Sequence, residues 1–302
     1  MTILLTGATG FLGSHLLERL LKLNYNVVIL KRSFSNTWRI EHLLDKVKSY
    51  DIDIVDIEKP FQEQKIDIVI HTVTNYGRNK ESISDIVDTN LMFSLKLLET
   101  AIFFNTDTFF NTDTLLYKYL NPYSLSKKQF VEWLKFFSNK IKVVNLKIEH
   151  MYGPKDDNKK FVTWLINQML QNKPSIELTE GKQKRDFIYI DNVVDVYMLM
   201  LKLYKEFESF VEFDVATGNQ IELKEFVLKI FNEIKKIRDI KTKLNFGKLT
   251  YRKGDIIGIE QDIKPLKELG WQPKVSLEEG IKNTIKEIID AGNKRDSNKR
   301  NF

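Results

Sequence analysis

Cysteine is absent from the 302 residues. Its absence rules out disulfides, thiolate metal sites and a cysteine nucleophile together. Histidine is scarce: His15, His42, His71 and His150 are the only four, far apart and without ligand spacing, so no metal is expected. Six prolines and thirteen glycines form no proline-rich or serine-rich linker. Long apolar runs are missing as well. Each run is short and broken by charge, which excludes a membrane-spanning helix. The amino end reads straight into a strand without a basic stretch before it, so no secretory signal is expected and a cytoplasmic protein follows. Acidic residues are the minority charge, 41 against 47 Lys and Arg, for a net charge of +6. Much of that excess sits in residues 293–300, a solvated tail. No basic face with interleaved aromatics appears, so nucleic acid is not an expected partner. A mildly basic protein suits an anionic small substrate.

Against those absences stands a repeated alternation of strand and helix. Thr2 to Thr6, Asn26 to Lys31, a segment marked by Ile52, Ile54 and Ile57, Ile66 to Thr72, Thr108 to Thr112 and Lys142 to Lys147 read as strands. Phe11 to Leu23, Ser84 to Phe103 and Tyr123 to Ser138 carry apolar residues at helical spacing. This pattern predicts an α/β fold, a doubly wound parallel sheet of Rossmann type with helices on both faces. After about Glu149 the elements become short and mixed. The expected division is residues 1–148, with a returning segment at about 187–216, as a dinucleotide-binding domain. Residues 149–186 and 217–302 would form a smaller mixed α/β substrate domain at the carboxyl end.

Gly7-Ala8-Thr9-Gly10-Phe11-Leu12-Gly13 follows the first strand and opens the first helix. Glycines there let the backbone turn tightly and approach a pyrophosphate, whose charge meets amide N–H groups at the helix N-terminus. Gly7, Gly10, Phe11, Leu12 and Gly13 are therefore candidate cofactor residues. The second strand ends in Lys31-Arg32-Ser33, where an NAD site usually carries an acid for the ribose hydroxyls. A cation at that point, Lys31 or Arg32, suits a 2′-phosphate and predicts NADP(H). Asp56 and Ile57, taken as the end of the third strand, are placed for the adenine. Thr72, at the end of the fourth, offers its backbone.

Tyr123-Ser124-Leu125-Ser126-Lys127 puts a phenol and an ammonium on one helix face. A nearby cation favours phenolate and is expected to lower the tyrosine pKa, making Tyr123 a usable general acid or base. With the glycine loop upstream, the chain resembles an extended short-chain dehydrogenase/reductase of the NAD-dependent epimerase/dehydratase type, over essentially its whole length. The resemblance implies a third catalytic hydroxyl at the preceding strand end, Thr114 with Thr112 in reserve, and assigns Lys127 to the nicotinamide ribose as well. It also implies substrate contacts from Arg185, in Lys184-Arg185-Asp186-Phe187, and from Arg252 to a diphosphate, and from His150 ahead of Met151-Tyr152-Gly153.

Asn75-Tyr76-Gly77-Arg78, Lys147-Ile148-Glu149-His150-Met151-Tyr152-Gly153 and Gln183-Lys184-Arg185-Asp186-Phe187 resemble most the CDP-paratose and CDP-abequose synthase group. Tyr76 and Arg78 thereby join the substrate candidates. This implies NADPH-dependent reduction of the C4 ketone of a nucleotide-linked, CDP-linked 4-keto-6-deoxy or 3,6-dideoxy sugar, for bacterial lipopolysaccharide and O antigen. The family also implies a homodimer through the helices Ser84 to Phe103 and Tyr123 to Ser138. Two other enzyme readings stand beside it: a C4 epimerase or a 4,6-dehydratase that keeps its NAD. A dehydratase would want an acid–base pair, yet no Glu follows Asp113-Thr114. A further alternative is a non-catalytic NADP-binding sensor.

Overall fold

The structure is a computed structural model and describes residues 1–251 and 258–300, with side chains to residue 293. Two compact units divide the chain. The first comprises Met1–Ile148, Val194–Val215 and Lys264–Trp271, the second Glu149–Val193, Ala216–Ile263 and Gln272–Phe302. Segment Lys264–Trp271, which the sequence assigns to the substrate portion, groups with the first unit.

In chain order the first unit begins with β1 (Thr2–Thr6), α1 (Phe11–Lys22), β2 (Asn26–Lys31), β3 (Lys48–Asp51), α2 (Lys59–Glu63) and β4 (Ile68–His71). It continues through α3 (Ile83–Val87), α4 (Phe93–Phe103), β5 (Thr108–Thr114), α5 (Pro122–Phe137) and β6 (Lys142–Ile148). The chain then passes β7 (His150–Tyr152), α6 (Phe161–Leu170), β8 (Ser175–Glu177), β9 (Lys184–Arg185) and β10 (Phe187–Tyr189). After α7 (Ile190–Leu203) and β11 (Phe210–Val215) come β12 (Ile221–Glu222), α8 (Leu223–Lys235), β13 (Lys243–Asn245), α9 (Lys264–Glu268) and α10 (Leu277–Arg300).

Seven strands form one sheet in the order β11-β6-β5-β4-β1-β2-β3. Every neighbouring pair in it is parallel. Parallel strands covered on both faces read as continuous apolar runs, as Ile3-Leu4-Leu5 and Val27-Val28-Ile29-Leu30 do. The core on one face joins Leu4, Val28 and Val69 of the sheet to Leu97 and Leu98 of α4 and to Phe130 and Leu134 of α5. From β1 the chain winds outward to β2 and β3, then returns to β4 on the other side. The switch point thus falls between β1 and β4, where such sheets take their ligands at the carboxyl ends.

Three expected elements differ from those observed. The third strand is Lys48–Asp51, ahead of the Ile52, Ile54 and Ile57 that marked it. β3 is the last strand of the sheet, so only Tyr50 among its residues is buried and polar residues suffice elsewhere. Ile54, whose spacing imitated strand alternation, is 70% exposed. Asp56 therefore does not end a strand. The strand expected to stop at Thr112 runs on to Thr114, paired through to Ile148. The long helix before it is interrupted by a π-helical turn at Asp88–Met92.

In the second unit β7 pairs β10 in parallel, β9 pairs β12 antiparallel, and β8 pairs β13 in parallel. Among the described residues no helix is long and apolar enough to cross a membrane. No group of three or more acidic or histidine side chains among them is arranged to hold a metal.

Candidate active site

At the switch point the glycine loop fits a dinucleotide on steric grounds. Gly7 has φ +70°, and a Cβ there would lie 2.6 Å from the Thr72 hydroxyl oxygen. A Cβ on Gly13 would lie 2.1 Å from the Gly7 carbonyl oxygen. Only glycine allows the turn and this close approach. Thr72 donates its hydroxyl to the Thr6 carbonyl at 2.8 Å, joining the ends of β4 and β1. The first turn of α1 has neither an acidic residue nor a side-chain cap. Its N–H groups suit an anion. Phe11 and Leu12 are buried in that turn.

At the end of β2 the candidate cations are not equivalent. Lys31 is ion-paired with Asp51 of β3, its register partner. The Arg32 guanidinium lies 4.7 Å over the Phe34 ring and is exposed. Ser33 donates its N–H to Asp53 at 2.7 Å and its hydroxyl to the same carboxylate at 2.5 Å. Those bonds hold the Asp53 carboxyl below the usual range. Asp51, rather than Asp56, therefore ends the third strand, and Asp53 follows it beside Ser33. Asp56 is exposed in the turn before α2, and Ile57 packs half-buried against the core. Arg39, which the sequence did not single out, donates to the Thr9 carbonyl of the glycine loop at 3.2 Å.

Helix α5 starts with a capping box. Asn121 accepts the Ser124 N–H at 2.8 Å and Ser124 accepts the Asn121 N–H at 3.2 Å, with Pro122 in the first turn. That start places Tyr123 in the first turn and Lys127 one turn on. Thr114 lies close enough to the Tyr123 phenol to favour its charged form, and the Thr114 hydroxyl oxygen accepts the Leu116 N–H at 3.2 Å. Thr112 faces elsewhere, 2.6 Å from the Tyr197 phenol oxygen. The Tyr76 ring stacks beside Tyr123 at 4.8 Å, tilted 38°, and the Arg78 guanidinium sits 4.7 Å over Tyr76. The structure therefore brings together Thr114, Tyr123, Lys127, Tyr76 and Arg78.

Burial raises the Tyr123 phenol well above its ordinary value, with Tyr76 and Asp113 adding to the rise. Thr114 and Arg78 oppose the rise. The net direction is upward where a lowering by Lys127 was expected, because burial outweighs the nearby cations. Lys127 is itself 1% exposed, and burial pulls its ammonium from 10.5 down to about 8. Its Nζ has no hydrogen-bond partner among the described residues. A buried ammonium left without an acceptor is costly, and a ribose with its hydroxyls would supply one.

A polar network surrounds this centre. His71 is fully buried, 2.8 Å from the Thr6 hydroxyl through Nδ1 and 2.8 Å from Ser94 through Nε2. Ser94 donates to the Asn90 carbonyl, so it accepts from Nε2–H, and Nδ1 accepts from Thr6. Burial and the Lys127 charge hold His71 neutral, well below its usual pKa. Asn90, in the π-helical turn, donates to the Asn75 carbonyl at 2.9 Å and to Ser126 at 3.0 Å. It also accepts the Asn75 N–H at 2.7 Å.

The second unit holds two other candidates. His150 bonds Glu149 at 2.6 Å through Nδ1. Arg185 is half-buried on β9, with Nη1 donating to the Lys184 carbonyl at 2.7 Å. Beside it Asp186, buried, accepts from Thr217 N–H and hydroxyl, Gly218 N–H and Asn219 N–H at 2.7–3.0 Å. Arg252 lies outside the described residues.

Comparison with known proteins agrees with this arrangement. The model of the NAD dependent epimerase/dehydratase family matches residues 3–216. A CDP-abequose synthase of Salmonella muenchen is 37% identical over 297 residues, covering 94% of this chain and 96% of that protein. A second CDP-abequose synthase, from Salmonella typhimurium, is 33% identical, covering 95% of this chain and 98% of its own. Among solved structures, a UDP-glucuronic acid 4-epimerase from Bacillus cereus, in complex with UDP-glucuronic acid and NAD, superposes with a TM-score of 0.80 at 25% identity. It covers 96% of this chain and 100% of that one. With the glycine loop, the Tyr123–Lys127 pair and a family match over more than half its length, this chain belongs to the NAD dependent epimerase/dehydratase family.

Proposed function

We propose that the protein reduces the C4 ketone of a nucleotide-linked 4-keto-6-deoxy or 3,6-dideoxy sugar, CDP-linked by preference, with NADPH. The observation that carries this is a protonated phenol beside Thr114, one helical turn from a buried Lys127 ammonium that has no hydrogen-bond acceptor among the described residues. A phenol held well above its ordinary pKa stays protonated at neutral pH, which is the form a proton donor needs.

Gly7, Gly10, Phe11, Leu12 and Gly13 would hold the pyrophosphate, with Thr72 alongside. Arg32 is the better candidate for a 2′-phosphate, because Asp51 already neutralises Lys31. Lys127 would hold the nicotinamide ribose. Bound there, NADPH would supply the hydride for C4. Thr114 orients the ketone oxygen, and Tyr123 gives its phenolic proton to that oxygen as negative charge develops. Tyr76 and Arg78 offer a flat aromatic and cationic wall beside Tyr123, suited to a sugar nucleotide. Arg185, Arg252 and His150 are assigned to the nucleotide diphosphate and sugar. Fixing a substrate by its remote diphosphate contributes orientation at the reacting carbon.

A 4,6-dehydratase would need a free acid beside the catalytic hydroxyl. Asp113 is instead buried and ion-paired with Lys128 at 2.7 Å. The two CDP-abequose synthases, similar over nearly the whole chain, support the CDP-linked sugar. A place in surface polysaccharide synthesis in the cytoplasm, and a homodimer, go with this reading. The test is a panel of 4-keto nucleotide sugars with NADPH, followed by loss of NADPH absorbance and NMR of the product. Consumption of NADPH with a 4-hydroxy product supports the proposal. Turnover of a 4-hydroxy sugar nucleotide without added reductant would assign an epimerase instead.

A further inference from the structure

Behind the catalytic group lies an ion pair that the mechanism above does not use. Lys128 follows Lys127 on α5, so its side chain leaves the helix about 100° further round. Its Nζ lies 2.7 Å from the Asp113 carboxylate and 2.5 Å from the Thr114 carbonyl oxygen. Asp113 alternates with Thr112 and Thr114 along β5 and so faces the opposite side of the sheet. Its side chain is 1% exposed, and its other carboxylate oxygen has no hydrogen-bond partner among the described residues. A buried ion pair of this kind stabilises a fold no better than apolar side chains of similar volume. Stability alone therefore does not explain it.

We infer that Asp113 and Lys128 form a positioning pair that ties the Thr114 strand end to the helix carrying Tyr123 and Lys127, and sets the charge felt by Lys127. The inference rests on the proposed roles of Thr114, Tyr123 and Lys127. One lysine bridges the two elements: its stem is fixed on α5, and its ammonium grips the carbonyl of the residue bearing the third hydroxyl. A shift of either element would break one of its two bonds. The tether thereby holds Thr114 beside the helix turn that carries Tyr123.

The charges around Lys127 come from several elements. Tyr123 and Lys128 share its helix, Asp113 faces it from β5, and His71 ends β4. Tyr76 and Arg78 stand on the loop after β4. On β6, Lys147 is paired with Asp214 of β11 at 2.7 Å. Of these, Asp113 opposes the fall of the Lys127 pKa and Lys128 adds to it. Removing one or the other must therefore move Lys127 in opposite directions. Loss of packing alone does not produce such a pair of opposite shifts.

The experiment compares Asp113→Asn, Lys128→Met, Lys128→Arg and the double variant Asp113→Asn/Lys128→Met with the wild type. The basic limb of kcat/KM against pH reports Lys127 in the free enzyme. In parallel, the Lys127 Cε resonance is titrated in protein labelled with 13C-lysine, assigned through its loss in Lys127→Met. Asp113→Asn is expected to move both to lower pH, and Lys128→Met to higher pH, each by about half a unit to one unit. Lys128→Arg, which can still reach both acceptors, should restore the wild-type profile. The double variant leaves no unpaired charge and should fold even if Lys128→Met does not, with Lys127 back near its wild-type titration. kcat should fall in Lys128→Met and in the double variant, because the Thr114 carbonyl has lost its tether. Shifts in the same direction, or an unmoved resonance in folded Asp113→Asn and in the double variant's comparison with it, would overturn the inference. The resonance needs no substrate, so an inactive wild type would count against the proposed reaction and leave this test readable.

Discussion

The Thr112 hydroxyl lies 2.6 Å from the Tyr197 phenol oxygen, whereas Thr114, two residues on, stands beside the Tyr123 phenol. The same residue type therefore serves different partners at adjacent positions on one face of β5. Thr114→Val is expected to lower kcat ~10- to 100-fold with little change in melting temperature, because it removes one hydrogen bond to the reacting centre. Thr112→Val should leave kcat nearly intact but cost about 1–3 kcal/mol of stability, since the buried Tyr197 phenol loses its partner. Steady-state kinetics and urea unfolding of both variants decide it. A larger kcat loss in Thr112→Val would move the catalytic hydroxyl back to that position.

Lys127 carries a stability cost that its removal should reveal. Burial lowers its pKa from 10.5 in the open chain to about 8 in the fold. Between those values the unfolded chain binds the proton and the fold does not. Stability therefore falls as pH drops from 10.5 to about 8, and below that window the loss is complete. A depression of this size corresponds to about 3 kcal/mol at neutral pH. Lys127→Met should make the cofactor-free protein more stable at pH 7 by up to that order, with the difference vanishing as pH rises past the window. Urea unfolding at neutral and high pH measures it. A less stable Lys127→Met at neutral pH would mean that the ammonium has a protein acceptor after all.

Cofactor choice should follow Arg32 rather than Lys31. Wild-type kcat/KM is expected to favour NADPH over NADH at least ~10-fold, about the 1.4 kcal/mol of one phosphate contact. Arg32→Ala should erase most of that preference. Lys31→Ala should erase little, because Lys31 is already paired with Asp51. Equal efficiency with both cofactors in the wild type would remove the 2′-phosphate role from this strand end.

The outward face of α5 and its neighbours is apolar. Trp133 is 41% exposed and Phe136 70%, with Ile83 at 66% on α3 and Phe103 at 74% on α4. Trp133 and Phe136 stand edge to face at 6.1 Å, and exposed apolar side chains of this size suit a contact surface. A two-fold dimer through these helices is the expected assembly. Light scattering at micromolar concentration should give twice the chain mass of 35.6 kDa. Trp133→Glu together with Phe136→Glu should give a monomer. A wild-type monomer at that concentration would contradict the dimer.

What the sequence disclosed was local. The glycine loop, the strand before it and the Tyr123–Lys127 spacing are patterns a few residues long, and each occupies the place its spacing implied. β3 was misplaced because an edge strand needs little apolar character, while Ile52 and Ile54 in the following turn imitate alternation. The error carried Asp56 with it and hid Asp51 and Asp53, which only parallel register with β2 brings beside Lys31 and Ser33. Asp113 and Lys128 are fifteen residues apart, and their bond depends on how α5 lies against β5. Tyr197 reaches Thr112 across 85 residues. The direction of the tyrosine pKa differs from the expected one for a related reason. Helical spacing places Lys127 near Tyr123, but burial, which spacing cannot show, dominates both groups.

The central claim is that Tyr123 protonates the reduced C4 oxygen. The most direct measurement compares wild type with Tyr123→Phe in single-turnover reduction of a CDP-linked 4-keto-3,6-dideoxy sugar, alongside NADPH binding by fluorescence. The change removes one hydroxyl and barely alters packing. Binding of NADPH and the melting temperature should stay near wild type, while the rate falls ~100- to 10,000-fold, as loss of a positioned proton donor does. A Tyr123→Phe enzyme that reduces the ketone at the wild-type rate would contradict the mechanism.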